Sequence, residues 1–76
     1  MEVGEAFAAT LRLARERANV TQAKLAEHSN LDRTYISLLE RGRRQPSLET
    51  FLVLSRALKV SPQEFLGSVL EVLDES

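Results

Sequence analysis

The sequence has 76 residues, a net charge of −1, 43% hydrophobic and 28% charged residues, three glycines and two prolines, which fits one compact helical domain spanning 1–76 and excludes a low-complexity or collagen-like chain. With no cysteine and a single histidine, His28, it offers no disulfide, no thiolate chemistry and no histidine pair for a metal. No basic start precedes an apolar run, and no stretch reaches the roughly 18 apolar residues of a membrane span, so the chain reads as soluble, cytoplasmic and without a membrane partner.

Phe7, Leu11, Ala14 and Ala18 recur at steps of four and three, which predicts a first helix from about Glu5 to Arg17 with these residues on its inner stripe. Thr21 is a good N-cap for a short second helix, Gln22 to His28, with Leu25 and Ala26 facing inward. Asn30 stands where the chain must turn, and asparagine tolerates positive φ better than other non-glycine residues. Asp32 caps a third helix from Arg33 to about Arg41, with Ile36 and Leu39 inward and Gly42 as its C-terminal stop. Pro46 breaks the chain, and Ser47 caps a fourth helix from Leu48 to Leu58 on a Phe51, Leu54, Leu58 stripe. Ser61-Pro62-Gln63-Glu64 joins an N-cap serine, proline at the first helical position and glutamate at the third. The fifth helix it opens either stops at Gly67 or runs on through Leu73. No segment alternates with period two, so the fold class is all-α, and the second and third helices are close enough in sequence to cross as a helix-turn-helix.

Charge is unevenly spread. Arg12 to Arg44 holds eight basic residues against four acidic, whereas positions 45–76 hold two against five. A basic half can face phosphates while the acidic half points away; the bland alternative is two solvated faces. In a helix-turn-helix the start of the second helix of the pair meets base edges, and here that stretch carries Arg33, Thr34, Tyr35 and Ser37. Arginine can hold guanine O6 and N7 with two bonds, and threonine can meet a base edge or a thymine methyl. An ordinary amphipathic helix with Tyr35 half-buried is the alternative. Gln22, at the first turn of the preceding helix, suits a phosphate, and Arg43 and Arg44 on the following loop can supply one phosphate contact and one groove contact.

The runs Thr21-Gln22-Ala23-Lys24-Leu25-Ala26, Leu31 to Ser37, Leu39-Glu40-Arg41-Gly42 and Pro46-Ser47-Leu48-Glu49-Thr50 resemble, in order and spacing, the Xre family of phage-repressor and Cro-like DNA-binding domains over about 7–66. Within that family the sequence is most similar to the short controller proteins of restriction-modification systems. The resemblance implies a five-helix phage-repressor-like domain. It assigns base reading to Arg33, Thr34, Tyr35 and Arg44, phosphate binding to Gln22, Ser37 and Arg43, and a structural ion pair to Arg15 and Glu40. Asn30 replaces the glycine many members carry in the turn, and Leu38 replaces a polar base-reading residue of some phage repressors, so their operators do not transfer.

The last segment carries Phe65, Leu66, Val69, Leu70 and Leu73, with Val60 and Val72 beside them, more apolar side chains than a small core easily holds. They read either as a homodimer interface, over about 60–74, or as a helix folded back on its own domain; the resemblance favours the first. It also implies a near-palindromic double-stranded operator and RNA polymerase as a partner in activation. The sequence shows no phosphate-cradling glycine loop, no nucleophile with a base partner and no paired carboxylates, so an enzyme, a cofactor and a small-molecule ligand are not expected. The alternative of a different class is a protein-interaction module, such as an antitoxin that binds DNA secondarily.

Overall fold

The computed structural model describes residues 1–75. Five helices follow one another, α1 Val3–Arg17, α2 Gln22–Ser29, α3 Arg33–Glu40, α4 Leu48–Ala57 and α5 Pro62–Glu75, and the described residues contain no strand. Four of the starts are capped by short polar side chains that accept from backbone N–H groups left without helical partners. Thr21 Oγ1 accepts from Lys24 at 3.0 Å, Asp32 Oδ1 from Thr34 at 3.1 Å, Ser47 Oγ from Thr50 at 3.0 Å and Ser61 Oγ from Glu64 at 3.1 Å. The first helix begins at Val3, earlier than the expected Glu5, because the Glu5 carboxylate accepts from the Glu2 N–H at 2.8 Å and closes an extra turn.

The first four helices end alike. Asn19, Asn30, Gly42 and Lys59 have φ of 62°, 58°, 70° and 59°, and each sends its N–H back three residues while the next residue sends its own back five. This left-handed closure satisfies the last carbonyls and turns the chain toward the next helix. After three of these ends the following residue is apolar, Val20, Leu31 or Val60, and packs against the core. After α3 it is Arg43, which is exposed.

The core joins Phe7 and Leu11 of α1, Leu25 and Ala26 of α2, Ile36 and Leu39 of α3, Leu54 with the following Leu58, and Phe65 and Val69 of α5. Phe7, Phe51 and Phe65 form one aromatic cluster, with ring centroids 6.0, 5.7 and 4.9 Å apart. Such ring pairs add about 0.5–1.5 kcal/mol each beyond the area they bury. The buried hydroxyls of Thr10, Ser29 and Ser55 donate to the carbonyls of Ala6, Leu25 and Leu52. No buried side-chain nitrogen or oxygen among the described residues lacks a partner.

Two expectations about packing need correction. Ala18 is exposed and follows the last residue of α1, so the inner stripe stops at Ala14 and is completed by Ala6 and Thr10. Phe65 and Val69, expected at a subunit interface, are 1% and 3% exposed because they fill the protomer's own core, leaving almost no surface for a second chain. α5 runs through Gly67 to Glu75, since Val69, Val72 and Leu73 beyond that glycine have a core to pack on.

Candidate nucleic-acid interface

The α2–α3 corner is built by its turn. Asn30 in the left-handed region reverses the chain after one residue, Leu31 folds back on the core, and Asp32 starts α3 at once. With Ile36 and Leu39 fully buried, α3 has one rotational setting, and that setting exposes Arg33 and Thr34 at its start. Tyr35 is half-buried with its ring against the core, and Ser37 and Leu38 are half-buried on the flanks. The exposed pair therefore consists of a five-donor guanidinium and a hydroxyl with an adjacent methyl, held on a short rigid helix.

Arg15 and Glu40 lie on α1 and α3, and their side chains are 15% and 3% exposed. Arg15 Nε donates to Glu40 Oε2 at 2.6 Å and Arg15 Nη2 to Oε1 at 3.1 Å, a two-bonded fork. Arg15 Nη1 also donates to the Val20 carbonyl at 2.9 Å, in the loop that leads into α2. The Glu40 hydrogen bond raises the Arg15 guanidinium above its ordinary range and outweighs burial, which acts the other way. Arg15 therefore stays a cation.

Gln22, expected to hold a phosphate, is half-buried at the first position of α2, and its Nε2 donates to Glu40 Oε1 at 3.0 Å. An amide nitrogen carries two hydrogens, so one remains for a ligand. The spacing of 18 residues between Gln22 and Glu40 gives no sequence signal, and only the crossing of α2 and α3 brings them together.

The loop after α3 carries Arg41, Arg43 and Arg44, all exposed. Gly42 adopts φ +70°, a conformation that strains any side chain. Among the described residues the ion pairs are Arg15–Glu40 and the exposed Lys24–Glu27 at 3.8 Å, so Arg33, Arg43 and Arg44 keep their charge for an outside anion. The side chains offered by the start of α2, the start of α3 and the loop after it are cations, hydroxyls and an amide donor. They suit phosphate and base edges, and they include no nucleophile paired with a base. No group of three or more potential metal ligands occurs among the described residues, and none of the helices is long and apolar enough to cross a membrane.

A second surface is apolar. Leu48, Val3 and Leu66 are 76%, 57% and 49% exposed, and they rim a groove floored by Phe7, Phe51 and Val69. Leu70 is 46% exposed beside it on α5, and Leu73 is half-buried. Val3 and Leu48 were not foreseen as surface residues. The signal was the position of Leu48 directly after the Ser47 cap, where a helix overhangs its own core.

Known proteins with similar sequences and folds bear on the α2–α3 surface. A helix-turn-helix family model matches residues 11–65. The control protein C.SmaI of Serratia marcescens is 39% identical over 66 residues, spanning 87% of this chain and 79% of its own length. C.BamHI of Bacillus amyloliquefaciens is 46% identical over 50 residues, 66% of this chain and 62% of its own. The restriction-modification controller protein C.Esp1396I superposes with a TM-score of 0.89 at 29% identity, covering 96% of this chain and 94% of that one. The same protein, solved as a tetramer on its natural 35 base-pair operator, superposes with a TM-score of 0.88.

Proposed function

We propose, from the premise that this chain belongs to the helix-turn-helix family and is related to the restriction-modification controller proteins, that it binds a specific double-stranded operator as a homodimer and regulates transcription. The observation that carries the reading is the exposed start of α3. Arg33 and Thr34 are exposed at the start of a helix whose setting is fixed by the buried Ile36 and Leu39, and Arg43 and Arg44 on the following loop are exposed and unpaired. In this reading Arg33 and Thr34 discriminate bases, with Tyr35 and Arg44 at the groove edges. Gln22, Ser37 and Arg43 hold phosphates. The protein performs no catalysis and acts in the cytoplasm, and control of restriction-modification genes is the role its relatives suggest.

The second copy docks on the face of Val3, Leu48, Leu66 and Leu70, whose exposure in one protomer is otherwise unexplained. A two-fold dimer that reads two half-sites needs its reading helices about 34 Å apart, one turn of duplex, and a near-palindromic operator. Leu48→Glu combined with Leu66→Glu is expected to give monomers in sedimentation equilibrium with the helical spectrum intact; an unchanged dimer would move the interface elsewhere.

Selection of bound duplexes from a random pool, followed by titration of the winner at several salt concentrations, tests the function as a whole. A near-palindromic winner, bound on the order of a thousandfold or more tighter than random duplex and with a steep salt slope, supports the reading. Uniformly weak binding to every duplex would instead point to a protein-interaction module.

A further inference from the structure

We infer that Glu40 is a positioning residue for DNA specificity. By holding the amide of Gln22, it fixes the phosphate anchor at the start of α2 relative to the reading residues at the start of α3. This inference rests on the proposed DNA-binding role of Gln22.

Three observations carry it. The two Glu40 oxygens are already engaged by the Arg15 fork, so the third bond, from Gln22 Nε2 at 3.0 Å, adds little to holding Glu40 in place. What it restricts is Gln22, whose side chain would otherwise sample several rotamers at the edge of the interface. The same unit also sets the backbone of that anchor, because Arg15 Nη1 holds the Val20 carbonyl just before the Thr21 cap. Finally, the Glu40 side chain is only 3% exposed, so its anionic charge is paired inside and does not oppose a phosphate approaching Gln22.

The consequence follows from the geometry of base reading. A hydrogen bond to a base edge tolerates a few tenths of an ångström, and a site whose supporting groups are loose by about 1 Å loses its selectivity. Non-specific binding needs only positive charge near phosphates and tolerates that looseness. Releasing Gln22 therefore lowers operator affinity while leaving affinity for random duplex almost unchanged.

The test replaces the clamp without opening a hole. Arg15→Met combined with Glu40→Leu fills the space with apolar side chains and removes the acceptor, a kind of exchange that commonly preserves stability. Arg15→Met combined with Glu40→Gln also lacks the ion pair but keeps an amide oxygen for Gln22. Operator and random-duplex affinities are measured for both, alone and with Gln22→Ala. The apolar pair is expected to lower the ratio of operator to random binding on the order of tenfold, the amide pair to restore most of it, and neither to lower it further once Gln22 is alanine. Equal losses with and without Gln22, or a folded apolar variant with full discrimination, would overturn the inference. If Gln22→Ala alone leaves every duplex equally well bound, the phosphate role of Gln22 fails instead. A measurement on the unaltered protein needs no variant to fold. The side-chain amide of Gln22 should show an NMR order parameter near the rigid backbone value before DNA is added, about 0.85, and a value below about 0.6 would overturn the inference.

Discussion

The two halves of this molecule are held together by different physics. The α1–α4–α5 side is joined by the Phe7, Phe51 and Phe65 cluster, whose attraction is spread over many contacts and tolerates small adjustments. The α2–α3 corner has a smaller apolar floor, Leu25, Ala26, Ile36 and Leu39, and adds a directional device, one carboxylate accepting three hydrogen bonds from Arg15 and Gln22. Apolar packing supplies stability, while directional bonds supply a defined angle between elements. The half proposed to meet a rigid duplex in register is the one that carries the directional bonds.

Four substitutions test that contrast. The largest effect is expected from Phe65→Ala, which opens a hole beside two other rings and should cost about 3–5 kcal/mol, measured by chemical denaturation, while the operator preference of the protein still folded stays unchanged. A loss under about 1 kcal/mol would mean that the aromatic cluster is not the main tie of that half. Glu40→Ala leaves the Arg15 guanidinium poorly partnered and should cost about 3 kcal/mol. Unlike the phenylalanine change, it should also degrade sequence discrimination in the folded fraction. Arg33→Ala touches neither tie. It should leave the melting temperature within error and cost about 1–3 kcal/mol of operator binding, with relaxed preference at one base pair. An equal loss on every duplex would make Arg33 a phosphate contact. The smallest effect belongs to Lys59→Gly, where a lysine sits at φ 59° with its side chain exposed. Removing the side chain should raise stability by about 1 kcal/mol, read as a small increase in denaturation midpoint without change in DNA binding.

Local chemistry made most of the fold legible. Thr21, Asp32, Ser47 and Ser61 were readable as caps, and Asn30 and Gly42 as stops, because each acts through backbone groups within a few residues. The start of α1 was misplaced by two residues because glutamate is a weaker capping signal than serine or aspartate. The candidate site was legible to the extent that it depends on residue type, as with Arg33 and Thr34 on one short helix. The attachment of Gln22 to Glu40 was not, since it depends on the angle at which two helices cross.

The surplus of apolar residues after position 60 shows the same limit from the other side. Helical periodicity marks Phe65, Leu66, Val69, Leu70 and Leu73 as apolar but does not state which ones the domain itself consumes. Tertiary packing assigns Phe65 and Val69 to the core, leaves Leu66 and Leu70 outside, and adds Val3 and Leu48 from distant parts of the chain. Five helices, four of their caps and the helix-turn-helix were thus readable from residue order, because they follow from interactions among near neighbours. How those helices are clamped and which apolar residues stay exposed depend instead on surfaces that exist only after distant segments have packed.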